Sequence, residues 1–73
     1  MEDPRAYVRI ADMLRQQIMA GLIKAGQPVP SITTLTQDHG VARQTAAKAL
    51  RMLESEGLVY RVPGLGYYVT EHQ

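Results

Sequence analysis

The sequence predicts a mainly α domain that ends in a small β-hairpin. Three observations predict it. Apolar residues recur at helical spacing in three separate stretches, a glycine follows each stretch, and two β-branched and aromatic runs flank a Pro-Gly turn near the end. The chain has 73 residues, room for one core, so one domain is expected over residues 1–73, ordered from about 4 to 70.

The first helix is predicted over residues 4–20. Asp3 suits an N-cap, and Pro4 fits the first helical position, where a missing N–H costs nothing. Tyr7, Ile10, Ala11, Leu14 and Ile18 form one apolar face, while Arg9, Asp12, Arg15, Gln16 and Gln17 form a solvated one. Gly21 supplies the stop. Residues 21–31 hold two glycines and two prolines, which excludes a helix. Leu22 and Ile23 are expected to pack back on the first helix, and Val29, between Pro28 and Pro30, makes a short edge strand at most.

Ser31 then caps a second helix of about eight residues that ends at Gly40, with Ile32, Leu35 and Thr36 inward. His39 lies in its last turn, where a cation suits the helix dipole, a structural role. A third helix follows the Gly40-Val41 turn and runs to Gly57. Ala46, Ala49, Leu50 and Leu53 face inward, and Arg43, Gln44, Ala47, Lys48 and Arg51 face outward. Glu54 and Glu56 fall at the wrong pole for the dipole and are expected to be simply solvated. Residues 58–62 and 67–70 are the hairpin strands, joined through Pro63-Gly64-Leu65-Gly66. Tyr7 and Tyr68 are assigned to the core and its rim, and one or both of Tyr60 and Tyr67 to the exposed side. Two helices joined at a glycine turn form a helix-turn-helix, and the hairpin makes it winged: three helices plus a two-stranded wing.

Composition excludes several function classes. There is no cysteine, and His39 and His72 have no ligand spacing, so neither a metal nor a cofactor is expected. No paired catalytic constellation appears, and Gly64-Leu65-Gly66 joins two strands where a phosphate loop would join a strand to a helix, so no enzyme is expected. Nothing spans a membrane, the N-terminus lacks a secretory pattern, and a cytoplasmic location is the default expectation. No small-molecule site of the usual several hundred Å³ is evident. The net charge is only 8 − 7 = +1. Its placement is more telling: residues 40–53 hold Arg43, Lys48 and Arg51 and no acid, a local +3.

In order along the chain, Tyr7, Ile10, Leu14, Ile18 and Gly21, then Gly26-Gln27-Pro28-Val29-Pro30-Ser31, Leu35, Gly40-Val41-Ala42-Arg43-Gln44-Thr45, Ala49-Leu50, Leu53, Glu56-Gly57-Leu58-Val59 and Gly64-Leu65-Gly66-Tyr67-Tyr68-Val69 form an ordered set. By this set the chain resembles the winged helix-turn-helix DNA-binding domain of the GntR-type bacterial transcription regulators. The resemblance implies sequence-specific binding of double-stranded DNA, as a homodimer on a palindromic operator, with the third helix in the major groove and the wing tip near the minor groove. Where the family commonly has a capping Ser, this chain has Ala42; where it often has basic residues, this chain has Thr33, Ala47 and Leu65. A regulator of this family usually carries an effector-binding or dimerisation domain after the winged helix, so the chain is expected to be either a fragment or a minimal regulator.

Candidate DNA-binding residues follow from that placement. Arg43, near the start of the third helix, carries a planar fork that matches guanine O6 and N7. Gln44 suits adenine or a phosphate, Thr45 offers a hydroxyl to a phosphate, and Lys48 lies one turn on. Ser31 and Thr33 sit where helix N–H groups meet phosphates, Ser31 as a cap first. Gly64 and Gly66 let the wing backbone approach closely. The blander readings are solvated side chains for Arg43, Gln44 and Lys48, a back-bonded hydroxyl for Thr45, and turn geometry for the glycines. The competing function is a winged-helix protein-interaction module without DNA binding, with Leu65 and Tyr67 as an apolar contact.

Overall fold

A computed structural model describes residues 4–71. Among them the order is α1 (Ala6–Met19), α2 (Ile32–His39), α3 (Arg43–Ser55), β1 (Val59–Val62) and β2 (Gly66–Val69). This is the expected arrangement of three helices and a two-stranded antiparallel wing.

The α1 helix begins two residues later than predicted. Pro4 and Arg5 form a turn, and the Arg5 carbonyl accepts from the N–H groups of Val8 (3.0 Å) and Arg9 (3.2 Å), so Arg5 holds the N-cap position. The expected Asp3 cap lies outside the described residues. Gly21 ends the helix at φ +78°, a left-handed conformation that costs glycine little, and the Leu22 N–H reaches back to the Gln17 carbonyl at 2.9 Å. That reversal turns only one of the next two side chains inward. Ile23 packs against the core as expected, but Leu22 is 75% exposed.

The second helix matches its prediction. The Ser31 hydroxyl accepts from the Thr34 N–H at 3.1 Å, and Gly40 closes the C-terminus at φ +63°. The Gly40-Val41-Ala42 turn leads into α3, whose N-cap is Ala42, without a side-chain cap.

The core is aliphatic, as a chain without Trp or Phe requires. Ile10, Ala11, Leu14 and Ile18 of α1 meet Ala46, Ala49, Leu50 and Leu53 of α3, with Leu35 from α2 and Val59 and Val69 from the wing. Ala46 and Ala49 have no accessible surface; small side chains let the α1 and α3 backbones approach closely. Each buried leucine contributes roughly 1.5–3 kcal/mol relative to exposure, so the cluster is what holds α2 and the hairpin, neither of which is stable alone.

Val29 is buried and belongs to the edge segment that the prolines suggested. Its N–H donates to the Tyr67 carbonyl at 3.0 Å, the Val69 N–H donates to the Gln27 carbonyl at 2.9 Å, and Pro28 bridges Tyr68. The strand β2 is therefore flanked on both sides.

Two sequence expectations need correction. Tyr67, rather than Tyr68, packs against the core, because it shares a strand face with the buried Val69; Tyr68 is half-buried and stacks on Tyr60 with ring centroids 6.2 Å apart. Glu56 is not simply solvated. It accepts two hydrogen bonds from Arg15, at 2.8 and 2.7 Å, because the packing of α1 on α3 brings the end of α3 beside the middle of α1. Arg15, expected on a solvated face, also pairs with Asp12 one turn earlier.

Candidate nucleic-acid interface

The α3 helix presents its outer face beside the wing. Between them lies an open groove of about 410 Å³, lined by Ser31 and Thr33 of the α2 N-terminus, Arg43, Ala47 and Arg51 of α3, and Arg61, Gly66 and Tyr67 of the hairpin, with Ile32 and Leu50 beneath. Among the described residues, three arginines and no acid line it. This concentrates positive charge on one face of a chain whose net charge is only +1.

Helical periodicity aligns the α3 wall: Arg43, Ala47 and Arg51 are spaced at four-residue intervals along one stripe. The hairpin wall depends on register. Val62 pairs with Gly66, so Arg61 pairs with Tyr67, and both side chains turn to the groove, away from the Tyr60–Tyr68 stack.

The Arg43 guanidinium donates from Nη1 to the Thr33 hydroxyl at 3.2 Å. The contact crosses the helix-turn-helix, and it draws the arginine fork toward the α2 N-terminus. Ser31 serves both helix and groove: its hydroxyl caps α2, donates to Thr34 Oγ1 at 3.0 Å, and lines the groove.

Lys48 has a different neighbourhood. Its Nζ lies 4.2 Å from the centroid of the Tyr7 ring, on the α1 side of α3 and away from the three-arginine groove. Gln44 is exposed on the first turn of α3, and Thr45 is half-buried there, its N–H bonded to the Ala42 carbonyl at 3.0 Å.

The wing tip is a tight turn. The Leu65 N–H closes onto the Val62 carbonyl at 3.0 Å around Pro63 and Gly64, and Gly64 adopts φ +82°. Proline followed by a glycine of positive φ is what a type II turn requires. Gly66 borders the groove at φ +116°. The structure thus gathers Ser31, Thr33, Arg43 and Gly66 around one groove, leaves Gln44 and Thr45 on the adjoining turn and Gly64 at the tip, and sets Lys48 on the flank.

Arg61 was not among the residues singled out by the sequence, and Arg51 was left aside. For Arg51 the four-residue repeat from Arg43 was a usable signal. For Arg61 the signal was alternation along the strand, which sets it on the face opposite Tyr60.

Comparison with known proteins gives a consistent result. The family model described as "Bacterial regulatory proteins, gntR family" matches residues 6–69. The mannosyl-D-glycerate transport/metabolism system repressor MngR of Escherichia coli (strain K12) is 37% identical over 67 residues, which are 92% of this chain and 28% of that protein. The HTH-type transcriptional repressor NagR of Bacillus subtilis (strain 168) is 35% identical over 65 residues, 89% of this chain and 27% of the repressor. The chain thus spans less than a third of the length of either repressor. Among solved structures, AraR(DBD) in complex with operator ORR3 superposes with a TM-score of 0.86 at 35% identity, over 89% of this chain and 78% of that one. AraR(DBD) in complex with operator ORX1 gives a TM-score of 0.88 at 32% identity, over 96% and 92% of the two chains.

Proposed function

The chain belongs to the gntR family of bacterial regulatory proteins, and from that membership we propose that it is the DNA-reading domain of a transcriptional regulator. The observation that carries the reading is the groove in which Arg43, Arg51 and Arg61 converge beside the outer face of α3, with no acid among its described lining residues. Phosphate neutralisation supplies most of a protein's affinity for duplex DNA, and base-edge contacts supply its specificity. The likeness to AraR(DBD), solved in complex with operator DNA, supports duplex DNA as the partner.

In this reading α3 lies in the major groove. Arg43 reads a guanine edge through its fork, held in aim by Thr33, and Gln44 and Thr45 contact the adjoining base or phosphate. A backbone strand runs through the groove between α3 and the hairpin. Arg51 and Arg61 grip it from opposite walls, Ser31 and Thr33 meet it at the α2 N-terminus, and Lys48 touches a phosphate on the outer flank. An element across that strand from a helix in the major groove overhangs the minor groove, so the Gly64–Gly66 tip lies there. The domain acts in the cytoplasm, without catalysis, as a homodimer on a palindromic operator, the arrangement by which a two-fold protein reads two half-sites about one helical turn apart.

Selection of bound sequences from a random duplex pool, followed by a mobility-shift titration, tests the proposal. Two inverted half-sites and tight binding to the selected duplex are expected. Equal, weak binding to selected and scrambled duplex at physiological salt overturns it. The competing protein-interaction reading is weakened, since Tyr67 is half-buried against the core and borders the arginines of the groove.

A further inference from the structure

We infer that Leu65 is a sequence-reading residue: at the tip of the wing it makes an apolar contact in the minor groove that discriminates against G·C pairs. The inference rests on the DNA-reading function proposed above and assigns a specificity to a position where no charge is available.

The tip carries the exposed Pro63 ring and one projecting flexible side chain. Leu65 is 71% exposed, and Gly64 and Gly66 flank it. Neither glycine is there to make room inside the protein, since a Cβ added at Gly64 or Gly66 would meet nothing within 4 Å. Their φ angles of +82° and +116° fold the chain sharply around Leu65, and their missing side chains keep the end of the hairpin narrow. The minor groove is only about 6 Å wide, and a thin tip of this kind matches it. The Leu65 amide is fixed by its hydrogen bond to Val62, so the side chain projects from a closed turn.

The tip is also uncharged. Residues 62–70 hold no Lys, Arg, Asp or Glu, and the nearest cation in sequence, Arg61, lines the groove. Backbone affinity and tip contact are thereby divided between different residues. A leucine offers no hydrogen-bond acceptor. In the minor groove both kinds of pair present acceptors, but G·C adds the guanine N2 amino donor, which projects into the groove. Packing leucine over it strips water from that donor and gives nothing back, whereas over an A·T pair no such group is covered. The wing therefore favours A·T.

The test uses the duplex selected from a random pool by the whole chain. At each position flanking a half-site, A·T, G·C and inosine·C versions are titrated. Inosine lacks the N2 amino group yet keeps the major-groove face of guanine. The expected result is a window of one or two positions where G·C weakens binding about five-fold or more and inosine·C restores it. Leu65→Ala is expected to erase that difference while leaving the salt dependence unchanged, because the side chain meets no phosphate; its unfolding midpoint confirms an intact fold. The inference is overturned if G·C and inosine·C bind alike at every position, or if Leu65→Ala keeps the full A·T preference. If the unaltered chain cannot tell the selected duplex from a scrambled one, the DNA-reading function itself has failed, a result distinct from both.

Discussion

Arg15 on α1 and Glu56 at the end of α3 are 41 residues apart in sequence and joined by two hydrogen bonds, Nε to Oε1 at 2.8 Å and Nη2 to Oε2 at 2.7 Å. This fork ties the first helix to the junction between α3 and the wing, just before the Gly57 turn that sets the direction of β1.

The fork predicts an acid-sensitive contribution to stability. Hydrogen bonding to Arg15 holds the Glu56 carboxyl below the ordinary carboxylate range, against a smaller opposing effect of burial. A carboxyl whose folded pKa is depressed stabilises the fold fully above its unfolded value and loses that contribution as pH falls through the folded one. Both side chains are partly exposed, 28% and 36%, so solvent screens the pair. Glu56→Gln is expected to lower stability by roughly 0.5–1 kcal/mol at neutral pH and by nothing measurable once the carboxyl is protonated. Urea unfolding at neutral and acidic pH checks both values.

The Arg43–Thr33 contact predicts a split between specificity and affinity. Arg43→Ala should lose about 1–3 kcal/mol of discrimination at the base it reads. Thr33→Val keeps the arginine but removes its hydroxyl partner, so it should lose a smaller part of the same discrimination. Parallel titrations of selected and scrambled duplex measure the difference; a Thr33→Val variant with unchanged discrimination would leave the hydrogen bond without a role in aiming Arg43.

Arg51 and Arg61 should behave in the opposite way. Arg51→Gln and Arg61→Gln are each expected to weaken selected and scrambled duplex about equally. Each should also make the slope of log affinity against log salt shallower by about 0.9, the value of one phosphate contact. A salt titration of the single and double variants reads this directly.

The cap of α3 offers a gain. Ala42 holds the N-cap position with extended backbone, φ −68° and ψ 154°, and no side-chain oxygen. Ser at this position places an acceptor by the N–H groups of the first turn, and Ala42→Ser should stabilise the fold by about 1 kcal/mol. A shift of the urea midpoint with an unchanged slope is the expected signature.

The helices were legible because their signals are local. Gly21, Gly40 and Gly57 sit at φ between +63° and +78° where the periodic stretches stop, and Ser31 caps where a small polar residue precedes the Ile32–Leu35 spacing. The start of α1 was less legible, since proline tolerates either the first helical position or the turn before it. In the candidate site, the place of Arg43 at the start of α3 was readable from the helix-turn-helix order. Arg61 was harder to place: alternation sets it opposite Tyr60, but its position across from α3 depends on how the hairpin packs on that helix. Lys48 carried the right charge in the right stretch, but its cation–π contact with Tyr7 depends on how α1 packs against α3. The Arg15–Glu56 fork depends on the same packing, and nothing near either residue in sequence announces it.

The segment that flanks β2 has a consequence for self-association. Gln27 and Val29 direct their backbone groups at β2, so Pro28 and Pro30 occupy the outward positions of that edge. Neither proline has an N–H to offer. A strand from another molecule would find two of the donors it needs missing there, a standard defence against edge-to-edge aggregation. The outer edge of β1 has no such block. Copies of this domain that join by extending the sheet would do so through β1, beside the wing proposed to lie against DNA.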